Sequence, residues 1–255
     1  MLIYRKLSTC INITICIFTC FQNSNNQLPD LFFYRRLINM KKIYYIFVVI
    51  AVLLGSCSSS IEKKLVKSQP GIAFIEYENG KHSQPLPTQE AFIRLKNNEK
   101  IFLSPGRVEI SKPLKLTNLR NVHIIGRGTS IVAKIDMPVI VINHIDILNI
   151  SGLYLVHEVG EWCAQNCLEL YDVKNLEIKN CTFNGSGYFG LALSNTRDAI
   201  IKSNRFFNCE YGLAAWGSSG LIARKNSFSK NRTQDIFAEP KEQFVNDIYK
   251  ENSFE

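Results

Sequence analysis

Nowhere does the chain hold enough consecutive apolar residues to cross a bilayer. Its longest unbroken apolar run, residues 43–54, has twelve, about 18 Å as a helix against a hydrocarbon core of about 30 Å. A permanent membrane span is therefore the weaker reading of that run. Arg-rich helices and zinc-finger spacings are missing too, which argues against nucleic-acid binding despite a formal charge of +8. Six basic residues and one acid, Asp30, precede Cys57, so only +3 remains for the rest of the chain. No Leu-x-x-Leu-x-Leu frame occurs, which excludes a leucine-rich solenoid. What is present is an ordinary apolar share of 46% in 255 residues, room for one sizeable domain and an appendage.

Lys41 and Lys42 stand before the apolar run, and Gly55 and Ser56 follow it. A positive n-region, an apolar h-region and small residues make up a secretory signal. Leu54-Gly55-Ser56-Cys57 resembles a bacterial lipobox. That resemblance implies a signal peptide over 40–56, lipid attachment at Cys57 and a lipidated polar tether over 57–70. Each buried acyl methylene contributes about 0.8 kcal/mol, so several chains hold a protein at the membrane. The expected location is the bacterial cell envelope, with the protein exported and lipid-anchored in the outer membrane or a periplasm-facing leaflet. Residues 1–39 precede this second n-region and are read as an upstream mis-start or an unstructured extension.

Downstream, one phrase keeps returning. Asn175-Leu176-Glu177-Ile178, Asp198-Ala199-Ile200-Ile201 and Gly220-Leu221-Ile222-Ala223 superpose, and Asn121-Val122-His123-Ile124 and Ile147-Leu148-Asn149-Ile150 fit more loosely. Their first apolar positions fall at 122, 148, 176, 199 and 221, steps of 26, 28, 23 and 22 residues. Alternation within each phrase signals a strand with one buried face. A second series runs through Ile140, Leu168, Leu191, Leu213 and Ile236, and a third, shorter one through Leu155, Phe183, Phe206 and Phe228. Three short strands per period, separated by Asn, Gly and Ser, are better paired with their equivalents one period later than with sequence neighbours. Successive coils then stack about 4.8 Å apart around columns of apolar residues. Periods this long exclude hexapeptide coils.

Gly190-Leu191-Ala192-Leu193 with Ile201 and Asn204-Arg205-Phe206, repeated as Gly212-Leu213-Ala214-Ala215 with Ala223 and Asn226-Ser227-Phe228, resembles the right-handed parallel β-helix of the pectate-lyase-like superfamily. The resemblance covers roughly residues 100–254, and Asn204 and Asn226 suggest an asparagine ladder at a tight turn. The expected fold is all-β, a solenoid of five to six coils over 100–255. A cap over 71–99 precedes it, with a short amphipathic helix at 89–95 covering the open end.

In that superfamily substrates lie along the sheet of Gly-Leu-x-Leu strands, between walls of loops. Alternation turns Glu169, Tyr171, Ala192, Ser194, Ala214 and Trp216 outward there. Tyr171 and Trp216 would stand two rungs apart, about 10 Å, a spacing at which flat rings can stack on sugars. Shielding of an exposed sheet is the other, and the more ordinary, reading of the two rings. The long turn "HEVGEWCAQNC" brings His157, Glu158, Glu161 and Trp162 beside the same face. His157 and Trp162 join Tyr171 and Trp216 as candidate carbohydrate-binding residues. Glu158 and Glu169 are a candidate acid–base pair for glycoside hydrolysis, and Arg197 a candidate base for β-elimination. As an enzyme the chain would be a hydrolase or a polysaccharide lyase. It lacks the Asn-Thr-Asp, Asp-Asp and Gly-His-Gly motifs of polygalacturonases and the acidic clusters of pectate-lyase calcium sites, and its enzyme status stays open.

Lys179, Lys202 and Arg224 form a basic column on another face, read chiefly as solvated surface. Cys163 and Cys167 share a loop and are a candidate disulfide, whereas Cys181 and Cys209 read as small core residues. His157 with Cys163 and Cys167 is a loosely spaced soft-ligand set, and a periplasmic copper-delivery β-helix protein is known in the superfamily, so metal handling is the weakest alternative. No cofactor or resident metal is expected, and the chain is expected to be a monomer. The favoured expectation is recognition, with or without processing, of a polysaccharide. The alternative is a non-catalytic structural or adhesive surface module.

Overall fold

The structure, a computed structural model, describes residues 69–158 and 164–255. Cys57 and the signal lie outside the described residues, as do Glu161, Trp162 and Cys163.

Each of the three repeated series is one face of a parallel β-solenoid of about six turns. On the first face Leu114, Ile140, Leu168, Leu191, Leu213 and Ile236 pair in register from coil to coil. On the second, Val122, Leu148, Leu176, Ala199 and Leu221 do the same. On the third, Leu155, Phe183, Phe206, Phe228 and Phe254 align. These residues point into one core, where Leu176, Ala199 and Leu221 are 2%, 0% and 0% exposed. Burying each large apolar side chain stabilises the fold by about 1.5–3 kcal/mol, but only when a neighbouring coil supplies the other wall. The irregular steps of 26 and 28 residues are absorbed in the turns and in one register shift between Ile125 and Thr129, and the strands otherwise keep register.

Two side-chain ladders lock that register. Phe183, Phe206, Phe228 and Phe254 stack at centroid spacings of 4.8, 4.8 and 5.2 Å with rings within 10° of parallel, matching the inter-strand repeat. Asn204 accepts the Cys181 N–H and donates to Ile178 and to Asn226 Oδ1 at 3.1 Å. Asn226 in turn donates to Ile201 and to Asn252 Oδ1 at 2.9 Å. Both are nearly fully buried, so the amides satisfy turn backbone groups that water cannot reach.

Corners are made by single left-handed residues, also in columns. Asn118, His144, Asp172, Asn195 and Gly217 turn the chain from first to second face, and Asn121, Ile147, Asn175, Asp198 and Gly220 start the second, all with φ between 51° and 66°. Asn, Asp and Gly tolerate this conformation, which is why they punctuate the repeat.

The first coil begins on the second face, where Lys100–Leu103 pairs with the strand through His123. Ile72–Glu76 adds an antiparallel strand to its upper edge, Ala73 opposite Leu103 and Glu76 opposite Lys100. The helix spans Thr88–Arg94 and turns Ala91 and Phe92 into the core while Ile93 is 77% exposed. The upper end is thus closed by a strand as well as by the expected helix. IAFIE, lacking polar alternation, carries no period-two signal to reveal it.

Candidate functional site

The first face presents two outward columns. One runs Lys115, Val141, Glu169, Ala192, Ala214 and Phe237, the other Thr117, Asn143, Tyr171, Ser194, Trp216 and Glu239. Tyr171 and Trp216 therefore stand two rungs apart with Ser194 between them. Ala192 and Ala214 make a flat floor, and Phe189, Tyr211, Trp216 and Phe237 pack upon it. Phe189 meets Trp216 at 5.5 Å, Tyr211 at 5.2 Å and Tyr188 at 4.1 Å, and Tyr211 meets Phe237 at 5.9 Å. All four contacts are tilted or edge-on, as ring quadrupoles prefer. The result is a continuous aromatic surface across three coils, with Tyr188 its most exposed ring at 46%.

Phe189 and Tyr211 escape a reading by alternation. Counted back from inward Leu191, Phe189 should also point inward. A Cβ on Gly190, however, would lie 3.1 Å from Cys209 Sγ and 3.3 Å from Phe183 Cβ, so Gly190 itself faces the interior. The corner shifts the parity by one and turns Phe189 and Tyr211 out. The repeated aromatic-Gly-Leu triplet (Phe189-Gly190-Leu191, Tyr211-Gly212-Leu213) is the signal that could have found them.

Above the aromatic floor sits Glu169, 9% exposed. Asn166 Nδ2 donates to its carboxylate at 2.8 Å and the Tyr171 hydroxyl at 3.4 Å. Burial raises its pKa, outweighing the lowering by Asn166, Tyr171 and Lys115. Burial, then the adjacent Glu169 charge, raises the Tyr171 phenol too. Asn166 Oδ1 also accepts the Phe189 N–H at 2.8 Å, tying Glu169 to the aromatic cluster.

The other candidates lie elsewhere. Glu158 follows the end of the third-face strand and bonds Arg107 at 2.6 Å, beside Glu109 and Lys134. The Arg107 guanidinium holds its carboxyl below the usual range. Glu158 and Glu169 thus engage different partners on different faces, one favoured ionised and the other favoured protonated. His157 is 4% exposed, and burial lowers its pKa against a hydrogen bond to the Met137 backbone, so the ring offers no surface to a sugar. Arg197 is exposed where the second face opens, in register with Lys174. Lys179, Lys202 and Arg224 do form one column there, with Lys179 bonded to Glu177 at 2.8 Å. Trp162 and Cys163 lie outside the described residues, and with Cys163 the paired-cysteine expectation and the soft-metal set. Among the described residues no group of three His, Cys, Asp or Glu is arranged to hold a metal ion.

Residues 138–254 match the family model of a right handed beta helix region. No curated protein matches the chain. Among solved structures it is similar to ORF18 of Geobacillus virus E2, at 12% identity and a TM-score of 0.48, over 55% of this chain and 32% of that one. It therefore spans about a third of that protein's length.

Proposed function

We propose that this β-solenoid is an envelope-anchored lipoprotein, tethered through Cys57, that recognises polysaccharide along its first face. The observation that carries the reading is the outward aromatic surface built on Ala192 and Ala214, continued by Tyr171 two rungs above Trp216. Rigid rings on a sheet with a repeat of about 4.8 Å suit a linear polymer lying across the rungs, each stacked ring contributing about 1 kcal/mol without ordering a flexible side chain. Recognition is favoured over cleavage because both oxygens of Glu169 are already engaged and Glu158 is held in an ion pair.

The envelope anchor rests on the lipobox-like tetrapeptide alone. Radiolabelled palmitate incorporation that is lost in Cys57→Ser tests it. For the glycan reading, a glycan array on the full chain is expected to give binding that Trp216→Ala reduces at least tenfold. New reducing ends or unsaturated uronate absorbance on incubation would instead make the chain an enzyme. A structural or adhesive module is favoured by one observation, that Phe189 is 8% exposed with its faces spent on neighbouring rings. Silence across neutral and acidic glycans would select it.

A further inference from the structure

We propose that Cys167 and Cys209 form a disulfide that staples successive coils where the chain re-enters the first face. Leu168 pairs with Leu191, and the Cys167 N–H donates to Phe189 O at 3.0 Å, which sets Cys167 directly over Gly190. Cys209 arrives from the turn below, and its Sγ lies 3.1 Å from where a Cβ on Gly190 would be. The missing side chain at 190 is therefore the gap through which Cys209 reaches toward Cys167. Their sulfurs lie against neighbouring carbonyls, Cys209 Sγ 3.9 Å from Phe183 O and Cys167 Sγ 3.7 Å from Asn184 O. The equivalent position one coil on supports this reading of the gap, since Gly212 makes room in the same way for Asn231 Nδ2.

The Cys167 side chain lowers the Cys209 pKa against the effect of burial, whereas burial pushes Cys181 up to about 11. Cys181 bonds Lys179 O at another corner and is not in this pair. Oxidation needs a disulfide-bearing oxidant, such as oxidised glutathione or an exported dithiol oxidase. The Cys209 thiolate attacks one oxidant sulfur and expels the other as a thiol. The Cys167 thiolate then attacks the mixed disulfide and releases the second thiol. Two protons and two electrons pass to the oxidant. Both residues are fully buried, so the bond forms as these coils close.

The test uses the full chain, folded with oxidised and reduced glutathione, alkylated, digested with trypsin and mapped by mass spectrometry. The expected product joins peptide 135–174 to peptide 206–224 and persists in Cys163→Ser. A link internal to 135–174, or alkylation of every thiol, overturns the proposal. Reductant should lower the melting temperature by about 5 to 15 °C in the wild type and in Cys163→Ser. It should leave Cys209→Ala unmoved, and an equal shift in that variant also overturns the staple. The mapping needs no variant, so a poorly folding Cys209→Ala cannot obscure the result.

Discussion

Ile147 carries a φ of 65° in a column whose other members are Asn121, Asn175, Asp198 and Gly220. A β-branched residue in the left-handed region meets its own carbonyl, a cost of about 1–2 kcal/mol that Asn largely avoids. Ile147→Asn is expected to raise stability by about 1 kcal/mol, and Asn175→Ile to lower it by a similar amount. Opposite shifts in urea midpoint would bear this out, and destabilisation by both would refute it. Glu169 gives a pH signature at the same scale. Its pKa is raised above the ordinary 4.5 by burial, so the folded protein keeps a proton that the unfolded chain has released. Stability must then fall as pH climbs from 4.5 through the raised value and level off beyond it. Glu169→Gln keeps an acceptor for Asn166 but cannot ionise, so its urea midpoint should lack that component of the decline. An identical pH profile in variant and wild type would contradict the assignment. The corner residues were legible in the sequence because Asn, Asp and Gly advertise left-handed turns. Ile147 hid its role because an isoleucine advertises a strand, and Phe189 hid its outward face because Gly190 breaks the alternation count.

Strands here are too short to choose partners by themselves, and the ladders make the choice for them. A three-residue strand such as Thr182–Asn184 offers few backbone bonds, but Phe183 contributes a stacked ring and full burial. Phe206 lies inside the stack with a ring above and below it. Phe206→Ala is expected to cost about 3–5 kcal/mol, more than truncation of Phe254 at the open end, 36% exposed. Equal losses at both positions, by thermal or chemical melts, would mean that the stack does not act as a ladder. Asn226→Ala removes an amide that serves Asn204, Ile201 and Asn252 at once, and about 2–4 kcal/mol should go with it. This level was the most readable in the sequence. Apolar pairs at a recurring interval name both the strand and its partner, because the same residue type must refill each column. The antiparallel strand Ile72–Glu76 was not readable, since it occurs once and leaves nothing to compare with.

At the scale of the molecule the stack is one-dimensional, each coil touching only the coils above and below. Whole coils should therefore be removable where fractions of a coil are not. Residues 189–210 span one 22-residue period, from Phe189 to the residue before its register partner Tyr211. Deleting them joins Tyr188 to Tyr211 and sets Leu213 beside Leu168, Leu221 beside Leu176 and Phe228 beside Phe183, each a pairing of like with like. The shortened chain is expected to fold, with β-type circular dichroism and one cooperative melt at a lower temperature, because one set of interfaces is gone. Deleting only 189–199 would bring the second-face strand to the corner where a first-face strand must start. Ile201 would then take the crowded place of Gly190 and Asn204 that of inward Leu193, so the Asn204 amide would miss its turn, and cooperative melting should disappear. The half-coil result is the sharper one. A chain that tolerated it would owe its stability to general apolar collapse, and the columns that position Tyr171, Trp216 and the Cys167–Cys209 pair would have no fixed address.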